Sequence, residues 1–363
     1  MYRYTDIRGR RVHLYAPTLE ELREKEKEAA RDRDDGIDYS KGTISLIQLA
    51  EMYVGQKRSV RYNTKVSYGF VINLMKKHDF CYKMIKSIKP SMAKAFIADL
   101  HDEGYSYSTI TTVRGVIKPA FDMAVEDDII RKNPFAFKVA DVVSNDSVKR
   151  DALSREETER FLKAILEDKC RRKYYNELVI LLGTGLRISE LYGLTKSDID
   201  FKERRIRVER QLVRTKHCEY YIEKPKTDSG IRFIPMDDQV YKAFIDVFRE
   251  RKTPEVEMMI DGCVGFLFLD KDSKPKVAGH LEHALKRFVD RYNSLHEDKL
   301  PPITPHVLRH TFCTNKANAG MDLKSLQYLM GHSDAYTTLN TYSHGSYDMA
   351  KEAMIKIGSS CAV

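Results

Sequence analysis

The sequence contains no uninterrupted apolar run near the ~20 residues that a membrane-spanning helix needs. Its opening residues, Met1-Tyr2-Arg3-Tyr4-Thr5-Asp6, lack the apolar stretch of a secretory signal. Cysteine is sparse: Cys81, Cys170, Cys218, Cys263, Cys313 and Cys361 are scattered, and no two have the close spacing of a zinc site. Internal repeats and low-complexity segments are absent too. These absences argue against a transmembrane helix and against a disulfide or zinc scaffold. They lead to the expectation of a soluble chain in the cytoplasm with reduced thiols.

What is present is charge. Of the 363 residues, 32% are charged and 42% hydrophobic, enough for sizeable cores in two or three domains of roughly 100–200 residues each. The formal net charge is +9, which suggests an anionic partner. Residues 1–40 carry 9 basic and 10 acidic side chains, residues 41–150 carry 18 and 11, and residues 151–363 carry 35 and 32. The excess therefore sits in the middle segment, as expected for contacts to a phosphate backbone.

Residues 1–35 read as two short strands, Tyr2–Thr5 and Arg11–Tyr15, and a helix with Thr18 and Glu21 at its start. After a polar linker at 36–42, residues 43–132 read as four or five helices. Thr43 is the expected cap of the first, and the next, Tyr62–Lys77, shows Val66, Phe70, Ile72 and Met75. Pro90 opens another, and Ser108–Asp127 is a long one containing Pro119, a candidate kink. A second linker covers 138–150. Beyond it, Ser154 and Glu157 form a capping box. Arg205–Arg214, Tyr220–Glu223 and Ile231–Pro235 have strand character, which predicts a small antiparallel sheet. The rest is mostly helical.

Five stretches of the last segment carry candidate chemistry. In Thr184-Gly185-Leu186-Arg187-Ile188-Ser189-Glu190-Leu191, the glycine permits a tight turn, Arg187 opens a helix and Glu190 lies three residues on, on the same face. Lys224-Pro225-Lys226-Thr227 puts a lysine at an expected hairpin tip, able to reach into a groove and donate a proton. Thr304-Pro305-His306-Val307-Leu308-Arg309-His310 begins a helix with His306 and Arg309 on one face and a partial positive charge suited to phosphate. Gly331 ends a helix and leaves His332 at an expected exposed corner. Tyr342 follows ten residues later, one of 21 tyrosines. Two arginines can clamp the non-bridging oxygens of one phosphodiester, histidines can move protons near neutral pH, and a tyrosine can attack.

The order Arg187, Lys226, His306-x-x-Arg309, His332, Tyr342 resembles the tyrosine recombinases, or phage-type integrases, most closely those of conjugative transposons. The resemblance implies a mainly helical fold with a small antiparallel sheet, arranged as a clamp around DNA. It assigns 1–35 to part of an arm-type DNA-binding domain, 43–138 to a helical core-binding domain, and 151–363 to a catalytic domain with a C-terminal exchange helix. Such arm domains have a three-stranded sheet, and the hairpin here matches its later strands. By position, Arg187 and Arg309 activate the scissile phosphate, Lys226 is the general acid (with Lys224 the fallback), and His306 assists proton transfer. His332 contacts the phosphate, Tyr342 forms a 3′-phosphotyrosine, and Glu190 supports the arginine. Lys65, Arg114 and Lys118 are the expected DNA contacts of the middle segment.

The family chemistry uses no metal and no nucleotide cofactor. The implied partners are double-stranded DNA at the element ends and target site, a homotetramer on that DNA, and a DNA-bending excision factor, all at the bacterial nucleoid and none in a membrane. After Tyr342, the stripe Met349, Ala350, Ala353, Met354 and Ile357 suits either its own domain or a neighbouring protomer. A type IB-like topoisomerase or chromosome-dimer resolvase shares the chemistry and remains an alternative, as does a non-catalytic DNA-binding regulator. A metal-dependent transposase would need a carboxylate cluster that the sequence does not display.

Overall fold

A computed structural model describes residues 1–5, 11–34, 44–147, 151–225 and 228–333. They are mainly helical with small antiparallel sheets, the expected class. The chain divides into two compact units, Met1–Val148 and Lys149–Val363.

In the first unit, β1 (Tyr2–Thr5) pairs antiparallel with β2 (Arg11–Leu14), and α1 (Leu19–Asp34) follows. The Glu21 amide donates to Thr18 Oγ1 at the start of α1. Four more α-helices come next: α2 (Leu46–Gln56), α3 (Tyr62–Met75), α4 (Pro90–Asp102) and α5 (Tyr107–Glu126). Their apolar faces meet in one core of Leu46, Leu49, Val71, Met75, Phe96, Ile117, Phe121 and neighbours. Each such side chain contributes ~1.5–3 kcal/mol on burial.

Two helix starts and one buried face differ from the sequence expectation. Ser45, directly before the first residue of the helix, caps α2 in a reciprocal box with Gln48, while Thr43 lies outside the described residues. The inward face of α3 is Val71, Leu74 and Met75, one residue out of phase with Phe70, which is half exposed. α5 begins after Ser106, whose hydroxyl accepts from the Thr109 amide, and is one helix through Pro119.

Asn133 pins the chain that leaves α5. Its Nδ2 donates to Lys118 O (2.9 Å) and to Asp122 Oδ1 (2.6 Å), and its Oδ1 accepts from the Phe135 amide (2.7 Å). That seats Phe135 in stacked contact with Phe121.

The second unit starts with α6 (Arg155–Glu167), capped as expected by the Ser154–Glu157 box, then α7 (Tyr175–Thr184) and the short α8 (Ile188–Tyr192). The strands are β3 (Ile199–Asp200), β4 (Arg205–Val208), β5 (Gln211–Arg214), β6 (Tyr220–Glu223) and β7 (Arg232–Pro235). Four helices complete it: α9 (Asp238–Glu250), α10 (Ala278–Leu295), α11 (Pro305–Asn318) and α12 (Leu323–Met330). Phe161, Leu181, Phe244, Phe288 and Phe312 are among the residues of their shared core.

The expected single sheet is two sheets, of order β3-β4-β7 and β5-β6. The run Arg205–Arg214 is broken at Arg210, whose guanidinium turns in to Asp198 (2.6 Å) and Thr195 (3.3 Å) instead of continuing a strand. In consequence β6 and β7 are not hairpin partners: β6 pairs with β5, and β7 with β4.

Replacing Asn133 by Ala removes three hydrogen bonds, each worth a net ~0.5–1.5 kcal/mol. Hydrogen exchange should show faster exchange over 129–137, with protection in α7 and α11 unchanged. Equal loss across both units would contradict a local pin.

Candidate active site

The site forms where three helix ends and one strand meet. α7 stops at Gly185, whose φ of 64° is left-handed and where an added Cβ would lie 2.4 Å from the Phe312 ring. The chain reverses, and Arg187 becomes the residue preceding α8. α12 stops at Gly331, also left-handed (φ 60°), where a Cβ would lie 2.9 Å from Arg232 Nη1. α11 begins at Thr304, whose hydroxyl accepts from the Val307 amide, with Pro305 as its first residue, as expected.

At the centre is Glu190, whose side chain is fully buried. Its Oε1 accepts from Arg187 Nη1 (2.8 Å) and Arg232 Nη1 (3.3 Å), and its Oε2 from the Arg187 amide (2.9 Å) and Arg232 Nη2 (2.9 Å). Burial alone would push this carboxyl up. Arg232 above all, with Arg187 and Arg309, instead holds it down at about 2.

The arginines reach outward from this carboxylate. Arg187 Nη2 donates to Gly331 O (3.3 Å), and Arg232 Nε donates to Leu329 O (2.7 Å). Arg309 donates from Nη1 to Gly185 O and from Nη2 to Met330 O. Burial and then the like charge of Arg187 lower the Arg309 guanidinium to about 9, which still leaves it a cation at pH 7. Arg187 is partly exposed, whereas Arg309 is buried.

His332 is not an exposed corner. It is half-buried, and its Nε2 lies 3.1 Å from Arg309 Nη2. Since a guanidinium only donates, Nε2 accepts and the ring proton belongs on Nδ1. Burial, reinforced by Arg309, Arg187 and Arg232, lowers the ring to about 4, so it is neutral at pH 7. Gln327 Nε2 holds the His332 carbonyl at 3.1 Å.

Arg187, Glu190, Arg309 and His332 are thus brought together. His306, one turn before Arg309, has an exposed side chain on a cavity of about 620 Å³ shared with His283 and Asn293. Lys226 and Tyr342 lie outside the described residues, as does the stripe Met349 to Ile357, while Lys224 is the last lysine described before that gap. Arg232 is the functional residue that sequence reasoning missed. Its signal was the strand itself: in Arg232-Phe233-Ile234-Pro235 the alternation puts Arg232 on the buried face with Ile234. Among the described residues, no three His, Cys, Asp or Glu side chains gather in a group that could hold a metal ion.

In the first unit, Lys65 is exposed on α3. Lys118 does not stand free for DNA: its ammonium holds Asp122 at 2.6 Å. The Arg114 guanidinium lies 5.8 Å from the Phe137 ring centre, and the Lys94 ammonium lies 5.7 Å from it.

Removing the Glu190 charge leaves guanidinia buried without their counter-ion, so Glu190→Gln should destabilise the fold by about 3–5 kcal/mol in urea titration. The pH dependence has a defined sign. An unfolded histidine takes a proton near 6.5, but folded His332 resists until about 4, so stability is full above 6.5 and falls as pH drops through that window. Glu190 adds a second loss between 4.5 and about 2. His332→Gln should remove the upper loss, and an unchanged profile in that variant would rule out His332 as its source.

Residues 151–349 match the Phage integrase family. The transposase from transposon Tn916 of Enterococcus faecalis is 44% identical over 336 residues, covering 93% of this chain and 83% of the relative. The Tn1549 transposon integrase, solved in complex with a circular intermediate DNA, superposes with a TM-score of 0.83 at 42% identity, over 86% of this chain and 99% of that one. A lambda integrase tetramer bound to a Holliday junction shares the fold, with a TM-score of 0.59 at 18% identity over 96% and 94% of the two chains. No helix among the described residues is long and apolar enough to cross a membrane. With its sequence and its fold both matched, the chain belongs to the phage integrase family of tyrosine recombinases.

Proposed function

We propose that this chain cuts and rejoins duplex DNA at the ends of a conjugative transposon and at its target, through a 3′-phosphotyrosine on Tyr342. The observation that carries the reading is the charge of the site: two arginines on one carboxylate, and a third, Arg309, beside a neutral histidine, a net +2 that calls for an anion. A phosphodiester brings one negative charge, and its five-coordinate transition state gains more, so the cluster binds that state better than the ground state.

Tyr342 Oη attacks phosphorus, forming the Tyr–P bond as the P–O5′ bond breaks. His306 takes the phenol proton, and Lys226 gives one to the leaving O5′. Arg187 and Arg309 hold the non-bridging oxygens, and His332 offers its Nδ1–H. A 5′ hydroxyl from the partner strand then reverses the step, since the phosphotyrosine keeps the energy of the broken bond. Exchange between two duplexes involves four strands and hence four nucleophiles, which supports four protomers acting through a Holliday junction. The Tn1549 integrase bound to circular intermediate DNA supports a DNA substrate of the same kind. Residues 43–138 supply the core-site contacts, with Lys65, Lys94 and Arg114 better placed than the paired Lys118; residues 1–35 belong to an arm-site domain.

A nicked suicide duplex, which loses its 5′ hydroxyl after cleavage, should trap the chain as a covalent adduct visible by denaturing gel. Tyr342→Phe should abolish the adduct and retain DNA binding, because only the hydroxyl is lost; an adduct in that variant would sink the assignment. Arg187→Lys keeps the charge but loses the planar fork, and should slow adduct formation roughly 10²–10³-fold.

A further inference from the structure

Lys226 lies in the loop between β6 and β7, and the chain on either side of that loop is fastened. On the far side, Arg232 opens β7 and holds Glu190 at 2.9 Å, while its Nη1 donates to Gly230 O (3.1 Å). Pro225 and Gly230 close the base of the loop, since a Cβ on Gly230 would lie 2.2 Å from that of Pro225. On the near side the fastening is Asp261. Its Oδ2 accepts from the Ile222 amide at 2.7 Å, across 39 residues of chain. Ile222 stands four residues before Lys226.

Local structure presents Asp261 for that reach. Ile260 to Cys263 form a two-residue hairpin turn: the Ile260 amide donates to Cys263 O (2.9 Å) and the Cys263 amide to Ile260 O (2.8 Å). Asp261 (φ 46°) and Gly262 (φ 80°) are both left-handed, as a type I′ turn requires. The segment after this turn is bonded to the segment after α8. The Lys196 amide donates to Gly265 O (3.0 Å), and the Leu267 amide to Leu194 O (3.0 Å). Asp261 is thereby held in the same frame as Arg187 and Glu190.

The strand it touches has little else to fix its register. All four residues of β6 are half-buried, without the in-and-out alternation that commits a strand to one pairing. Among the described residues its ladder partner is β5, with Ile222 opposite Leu212. A slip of one residue would carry the following chain ~3.3 Å along, more than a hydrogen bond tolerates.

We propose that Asp261 is a positioning residue: its bond to the Ile222 amide sets the register of β6 and hence the place from which Lys226 protonates the leaving O5′. The proposal rests on the reading of Lys226 as the general acid. In that step Tyr342 Oη bonds to phosphorus, the P–O5′ bond breaks, and a proton of the Lys226 ammonium passes to O5′.

The test is the single-turnover rate of adduct formation by the full chain on two suicide duplexes, one normal and one with sulfur in place of the bridging O5′. A thiolate leaves without a proton, because a thiol ionises at ~8.5 whereas water requires ~15.7. Asp261→Gly keeps the turn, since Gly-Gly suits type I′, and removes the acceptor. It should slow the oxygen substrate roughly 2–10-fold, the factor that one hydrogen bond supplies, and leave the sulfur substrate at the rate of the unaltered chain. Asp261→Asn retains an acceptor and tolerates the left-handed backbone, so it should hold the oxygen rate. Equal slowing on both substrates marks a merely structural role and overturns the proposal, as does an unchanged oxygen rate in Asp261→Gly. Failure of the underlying reading looks different. Lys226→Ala should slow the oxygen substrate roughly 10²–10⁴-fold and recover on sulfur. A deficit that sulfur does not rescue removes Lys226 from the role of acid, while an Asp261→Gly deficit confined to oxygen would still place Asp261 behind the proton donor.

Discussion

The carboxylate of Glu190 is the constraint on which the second unit depends. A buried carboxylate is costly unless fully hydrogen-bonded, and this one accepts four bonds from two arginines and a backbone amide. Those bonds join α8, which carries it, to β7 through Arg232, and through Arg187 and Arg232 to the carbonyls at the end of α12. Three elements distant in sequence thus share one anchor. One carboxylate cannot neutralise three guanidinia, and of the three Arg187 is the partly exposed one. The group that stabilises the fold is therefore also the one that leaves the site demanding an anion.

The arginines are held at helix ends, where backbone carbonyls are unsatisfied by the helix itself. Gly185 and Gly331 make this geometry available. Each takes a left-handed conformation, and the carbonyls at 185, 330 and 331 become acceptors for Arg309 and Arg187. A Cβ at either position would meet Phe312 or Arg232 at less than 3.0 Å. Donors fixed in this way need little rearrangement as charge develops on a phosphate, which is the condition under which they accelerate reaction most.

Local signals in the sequence carried much of this. The caps at Ser154 and Thr304, the left-handed end at Gly331 and the Arg187–Glu190 pair follow from adjacent residues, and all appear in the structure. That Arg187 and Arg309 each stand near the start of a helix was legible for the same reason, each in a short string of its own. What was not legible depends on contacts far apart in the chain. Arg232 meets Glu190 across 42 residues, and Arg210 leaves its strand for Asp198 across 12. His332 meets Arg309 across 23 residues. The one-residue shift of the buried face of α3 has the same origin: Phe70 and Val71 are both apolar, and only packing against the other helices selects Val71.

His332 shows how the cluster assigns roles beyond simple attraction. A histidine among guanidinia is often drawn as a cation, but partial burial, reinforced by three guanidinia, holds this ring neutral down to about pH 4. Protonating it would add a further positive charge to a site already at net +2. Neutrality also fixes the tautomer, because Arg309 occupies Nε2 as a donor and leaves the proton on Nδ1. The ring is thus a directional hydrogen-bond donor, not a proton store, at the pH where the enzyme works. Proton movement must then fall to groups outside the cluster. That division, permanent charge and fixed donors within and titrating groups at the margin, follows from the single buried carboxylate, the two arginines it holds and the third that the helix-end carbonyls hold beside them.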